Sequence, residues 1–373
     1  MYPFASNKIA SEVAQRPASL VRKLILGFFL FNTLTLWLPN TYANLGHTND
    51  EAAASQWMSS ALQNTQYSID LSSRYLHDFL QEKGGFQNAV GLDYYTKVTG
   101  VDRDVATVVI QLYGMRIDNH PRPAGFYEGE DDWEIMPRIN TINIHLRSDR
   151  SLNLKLGHYE IPYGLEVPIN SNGTIRQLNH GPNLGVKVDY GVGLNGTLEK
   201  FQYNFGVSRG AGVEFDLDTD AYVVAGRIGT VTDRESFYGI NSAGISVFHT
   251  ERNTAGGGIL RRQRVGLDGQ YYSGPFGVMS ELSIGHDNNR LLLNSLIEGN
   301  IVNKRETLMA YTQYRHRSID RLTGWDQMVS LGFGFRWAPD NHWALSAQVD
   351  RVVDAFSTSL QSTFAQLQLR HRF

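Results

Sequence analysis

The sequence predicts an all-β fold, a transmembrane antiparallel β-barrel of about 16 strands. Three observations lead there. From residue 67 onward, segment after segment alternates apolar and polar residues with a period of two, the period of a strand with two unlike faces. The second face of most segments carries Arg, Asp, Gln or Asn. A sandwich would have to hide those groups between sheets, whereas a barrel in lipid needs only its outer face apolar. Finally, no segment after residue 43 reaches the roughly 18 apolar residues of a membrane helix. Hydrophobic residues make up only 42% of the chain and mean hydropathy is −0.30, as expected when every second strand residue faces water.

The chain opens on Arg16, Arg22 and Lys23, an apolar run over residues 24–38, then Pro39 and Thr41-Tyr42-Ala43. Basic residues, a short apolar run and a small-x-small site describe a signal peptide, residues 1–43. The run is short for a membrane anchor, which needs roughly 20 residues. Residues 44–65 form an N-terminal segment with one helix over 50–65, Ala-rich, free of Gly and Pro, behind the N-cap material Thr48-Asn49-Asp50. The barrel takes residues 66–373.

The strands follow in order. Tyr67, Ile69, Leu71 and Tyr75 oppose Ser68, Asp70, Ser72 and Arg74; Val90, Leu92 and Tyr94 oppose Gly91, Asp93 and Tyr95. Val108, Ile110 and Leu112 come next, then Ile142-Ile144-Leu146 against Asn143-His145-Arg147, and Leu152-Leu154-Leu156 against Asn153-Lys155-Gly157. Leu184-Val186-Val188-Tyr190 oppose Gly185-Lys187-Asp189, and strands over 201–207 and 222–228 complete the first half. In the second half, alternation is plain around Val265-Leu267, Val278-Leu282, Leu331-Phe333-Phe335 and Leu345-Val349, and faint over 238–249, 292–302 and 308–315. The last strand, 363–373, sets Leu367, Leu369 and Phe373 against Gln366, Gln368, Arg370 and Arg372. A strand ending on a carboxy-terminal aromatic looks like the last strand of a bacterial outer-membrane barrel. Counting back from it, short periplasmic turns fall at 339–341, 303–305, 273–275, 232–234, 193–195, 148–150 and 101–103. Longer outer connections fall between them, among them 352–360, 318–325 and 161–182. The strand over 292–302 is needed for the count to come out even.

The chain has no Cys, so no disulfide, thiolate metal site or lipoprotein anchor is available. A net charge of −3 argues against nucleic acid as a partner. Gly191-Val192-Gly193-Leu194-Asn195-Gly196 matches a dinucleotide fingerprint, and Gly206-Val207-Ser208-Arg209-Gly210 a nucleophile elbow. Both motifs require a following helix, and here strands and turns surround them. No metal site, cofactor or enzymatic reaction is expected. Acidic patches at Glu128, Glu130, Asp131, Asp132 and Glu134, and at Glu214, Asp216, Asp218 and Asp220, lack the spacing of a calcium loop.

The candidate site is the wet interior. Lys155, Lys187, Arg262, Arg264, Glu281, Arg147 and Arg315 fall on inward faces and are the pore-lining candidates. The connection 161–182, with Glu166, Arg176 and His180, is the candidate constriction loop. Charged walls in a water-filled pore set ion selectivity. The basic excess on the inward faces points to an anion preference; the bland alternative is that these side chains cancel in mutual ion pairs.

Leu156-Gly157-His158-Tyr159-Glu160-Ile161-Pro162-Tyr163-Gly164-Leu165-Glu166 resembles a stretch of the phosphate-selective porin O/P family. Gly266-Leu267-Asp268 through Gly274-Pro275-Phe276 to Glu281 is similar to a hairpin of that family and its porin-like relatives. The resemblance implies a passive diffusion channel in the outer membrane, surrounded by lipid and lipopolysaccharide, often a homotrimer, with loops folded inward and small hydrophilic or anionic solutes as cargo. The family's phosphate specialists carry a dense arginine ladder, which has no visible counterpart here. Two other readings are a barrel enzyme acting on lipids and a transporter of hydrophobic substrates plugged by the 50–65 helix.

Overall fold

The computed structural model describes residues 64–100, 103–121, 132–169, 173–213, 220–230, 241–253, 258–321, 324–355 and 361–373. Sixteen strands run in order: β1 (Thr65–Asp78), β2 (Lys83–Thr99), β3 (Asp104–Asp118), β4 (Glu134–His145), β5 (Asn153–Glu160), β6 (Val188–Thr197), β7 (Phe201–Ser208) and β8 (Tyr222–Thr230). They continue with β9 (Ser242–Asn253), β10 (Ile259–Ser273), β11 (Phe276–Asp287), β12 (Arg290–Val302), β13 (Leu308–Arg321), β14 (Gly324–Trp337), β15 (Trp343–Asp354) and β16 (Thr363–Arg372). Each pairs antiparallel with its sequence neighbours, and β1 pairs with β16 to close the barrel. Closure leaves no strand edge, which lipid could not satisfy with hydrogen bonds.

The alternation has the expected sense. Leu92, Val207, Ile245, Leu267, Phe333 and Leu369 are exposed on the outside, each flanked in sequence by residues of the inner face. In water so continuous an apolar surface would be an aggregation hazard; in lipid it is the spanning surface. Trp337, Trp343 and Phe373 sit at one rim, and Trp133 and Trp325 at the other, where aromatic rings suit the lipid headgroups.

Several connections differ from expectation. Leu184 does not start a strand. It ends the short helix α1 (His180–Leu184), and β6 begins at Val188. Residues 193–195 lie inside β6, and the turn comes at 198–200. The connection expected over 318–325 is mostly strand, since β13 runs to Arg321 and β14 begins at Gly324. The weakest expected strand, 292–302, is present as β12, but with Leu292 and Leu296 on its inner face, both fully buried. The 1–43 segment, all of the expected 50–65 helix but its last two residues, and most of both acidic patches lie outside the described residues; Thr65, expected to end that helix, begins β1 instead.

Candidate functional site

The chain between β5 and β6 turns into the barrel, and its first residues explain why. Ile161 and Tyr163 are apolar neighbours with no lipid to face, and with Leu184 they pack on Val223, Ala225 and Phe248, inner-face residues of β8 and β9. The Tyr163 hydroxyl lies 2.6 Å from Ser283 Oγ. The Gly164 amide donates to Ser246 Oγ at 3.0 Å, and the Leu165 amide donates to Glu281 Oε2 at 2.9 Å. Gly164 has φ +58, and a Cβ there would stand 2.2 Å from Glu281 Oε2, so only glycine allows this approach. The 3-10 turn Gly164–Glu166 and the chain after it place Leu165 and Ile169 against Met279 and Leu296. The inward leucine of β12 is the loop's landing surface.

The return leg docks through polar groups. Arg176 pairs with Glu298 at 2.5 Å, both nearly inaccessible to solvent. Glu298 also accepts from Gln313 Nε2 at 2.9 Å and Asn300 Nδ2 at 3.0 Å. Asn183, in α1, accepts at Oδ1 from Arg264 Nε at 2.9 Å and Asn294 Nδ2 at 2.6 Å. Gly185, at φ +77, ends that helix in the left-handed conformation. From the other side of the barrel, Arg74 on β1 donates to the Thr174 carbonyl at 3.2 Å, and the Arg370 guanidinium lies beside Gly173. The loop therefore touches the inner faces of β8 through β13 and also β1 and β16, so it crosses the lumen and narrows it.

Against this geometry the candidate residues sort clearly. Arg262 and Arg264 share Asp287 at 2.8 and 2.5 Å, and Arg315 pairs with Asp350 at 2.7 Å. Glu281 is occupied by the Leu165 amide. Lys187 lies in the loop just ahead of β6, not on a strand, and its amine is 3.2 Å from Glu166. Lys155 faces inward on β5 with its amine 5.8 Å from the Tyr159 ring centre, and has no ion-pair partner among the described residues. Arg147 is not pore-lining. β4 ends at His145, and Arg147 stands exposed in the turn beyond it, 3.8 Å from Asp149.

Mutual ion pairing is the alternative reading of the sequence, but the partners cannot be assigned from it. Arg227 and Asp268 form a fully buried pair at 2.5 Å, and Arg370 and Arg372 meet Asp70 and Asp93 across the β1–β16 seam. Tyr113 donates toward both of those carboxylates, at 3.0 and 3.3 Å. Much of the basic excess read from the sequence is thus balanced locally, and Lys155 and Arg74 are lumen cations outside these pairs.

His180 is 1% exposed, and neither ring nitrogen has a hydrogen-bond partner among the described residues. Burial pushes its pKa down to about 4, with the Glu166 carboxylate opposing and the Lys187 ammonium reinforcing that shift. A base whose pKa falls on docking binds fewer protons docked than undocked. The docked loop is fully stable above the free value of 6.5 and loses stability as pH falls toward 4, by about 3 kcal/mol in all. The ratio of protease nicking in the wild type to that in His180→Leu is expected to rise over that window, because the substitution removes this one contribution. Identical profiles for the two proteins would refute the argument.

No protein-family model matches the chain, and no curated protein matches it. Solved structures do. An anion-selective porin from Comamonas acidovorans superposes with a TM-score of 0.60 at 11% identity, covering 83% of this chain and 99% of that one. Pseudomonas putida OprB gives 0.62 at 8% identity, covering 86% and 96%. The trimer form of OmpT, an outer membrane protein of Vibrio cholerae, gives 0.59 at 10% identity, covering 83% and 99%. The fold is that of the outer-membrane porin barrels.

Proposed function

We propose that the protein is an outer-membrane porin that passes small hydrophilic solutes by diffusion. The observation that carries this reading is a closed sixteen-stranded barrel, apolar outside and charged inside, with one loop laid across its lumen. Residues 1–43 would direct export and be removed, and 44–65 would remain on the periplasmic side. The described histidines give little support to an enzyme. His158 meets the Gly212 carbonyl and His249 the Tyr222 hydroxyl, and neither meets a serine. Conductance of the refolded chain in a planar bilayer tests the proposal: a folded barrel that carries no current would sink it.

Within this reading the preference is for anions, supported by Lys155 and by the likeness to the anion-selective porin of Comamonas acidovorans. A place near the phosphate-selective porin O/P family is supported by the 156–166 stretch, whose Gly164 and Leu165 make the loop's first turn against Glu281. Assembly as a homotrimer is supported by the trimer form of OmpT. In a potassium chloride gradient, the wild-type reversal potential should take the sign of chloride preference. Lys155→Glu should move it toward potassium, because one inward charge changes by two units. A reversal potential unchanged by that substitution would remove Lys155 from the selectivity filter.

A further inference from the structure

Beside the base of the loop lies a cavity of about 200 Å3, bordered by β4, β5, β7 and the loop. That is room for several non-hydrogen atoms. Its charged residues have unusual company. Lys155 brings a cation without an ion-pair partner among the described residues. Glu160 lies 3.5 Å from Arg138 and Glu166 3.2 Å from Lys187, but neither of those cations lines the cavity, whereas both carboxylates do. The two carboxylates are near enough to repel each other. Ile139, Ile161 and Val167 supply an apolar border.

A simple anion would meet Lys155 but also two carboxylates. A simple cation would suit the carboxylates but meet Lys155. A solute with both charges a few bonds apart, and a small hydrocarbon branch, satisfies every group at once. We infer that the cavity is a binding station for a zwitterionic amino acid with a small aliphatic side chain. Its carboxylate faces Lys155, its ammonium faces Glu160 and Glu166, and its hydrocarbon lies on Ile139, Ile161 and Val167. This deepens the porin reading and rests on it. The station holds a passing solute briefly at the narrowed level through charge-assisted hydrogen bonds at both ends, which are stronger than neutral ones.

L-Valine, isovalerate and isobutylamine separate the two charges experimentally, because each of the latter two lacks one of valine's charged groups. With the refolded full chain in a planar bilayer, L-valine should reduce the current saturably, at a concentration about tenfold lower than either half-molecule requires. Saturation-transfer NMR on the folded wild type should show valine contact with the same order, without relying on any variant. Lys155→Met and Glu160→Gln should each weaken the valine block about tenfold relative to that variant's own open current. A conducting channel in which valine acts no more strongly than its halves overturns the inference and leaves the porin reading standing. A folded barrel with no current overturns the porin reading, and the inference with it.

Discussion

Alanine in place of Arg176 is expected to release the return leg of the loop and raise single-channel conductance. The wild-type guanidinium is nearly enclosed, its partner Glu298 has no exposed side-chain surface, and the guanidinium also lies 5.8 Å over the Tyr311 ring. Removing one member of a buried ion pair leaves the other charged and dry, at a cost of about 3–5 kcal/mol. Glu298 would keep Gln313 and Asn300 as neutral donors, which soften that cost without cancelling it. The cheapest relaxation is for the loop to leave the wall and let water reach Glu298. The barrel itself, held by sixteen ladders, should stay closed. Conductance should therefore rise, and proteases should reach residues 173–178, with the melting temperature of the barrel little changed. Removing the charge from both partners, as in Arg176→Met with Glu298→Leu, should restore much of the docking. An Arg176→Ala channel with wild-type conductance and wild-type protease resistance would show that the apolar anchors at Leu165 and Ile169 suffice alone.

Asp268→Ala should act on the barrel wall instead. Arg227 is 1% exposed, and its guanidinium lies flat on β8 and β9, where the side-chain-free Gly229 and Gly244 make room for it. A Cβ at Gly244 would stand 2.4 Å from Arg227 Nη2, so the two glycines are a bed for this one side chain. Both arms of the fork are taken by Asp268, at 3.0 and 2.5 Å. Without the carboxylate the cation loses its one ion-pair partner among the described residues while staying buried, and arginine cannot shed its proton. A loss of about 3–5 kcal/mol is expected, read as a lower urea midpoint for the folded barrel in micelles. Replacing both residues by apolar ones, Arg227→Met with Asp268→Leu, should recover most of it. Unfolding of Asp268→Ala at the wild-type midpoint would mean that the pair contributes nothing net.

The two variants also mark what the sequence discloses and what it conceals. Alternation at Val265-Leu267 or Leu367-Leu369 is legible because lipid makes a uniform demand on the outer face. The inner face has no uniform solvent. Where it meets water it is polar, and where it meets the loop it is apolar. Leu292 and Leu296 therefore blur the pattern of β12, and Val223, Ala225 and Phe248 blur that of β8 and β9. Leu184 and Val186 passed for strand because helix α1 is too short to show its own period. Arg147 had the right parity but lay two residues past the end of its strand. The ion pairs stayed hidden for a different reason. Asp70 and Arg370 are 300 residues apart, and only closure makes their strands neighbours.

That same seam constrains how the molecule is made. The Ile69 amide donates to the Phe373 carbonyl at 2.6 Å, and the Phe373 amide donates back to the Ile69 carbonyl at 3.0 Å. The first strand therefore waits, unpaired on one side, until the end of the last has been synthesised. Joining ends so distant carries an entropic cost that only the earlier hairpins, by pairing the strands between them, bring down. Until then the growing sheet has two live edges and an apolar face with no lipid, which is the surface that aggregates. The seam thus acts as a clock. It ties completion of the barrel to synthesis of β16, and the chain must be kept from self-association for the whole interval between its first strand and its sixteenth.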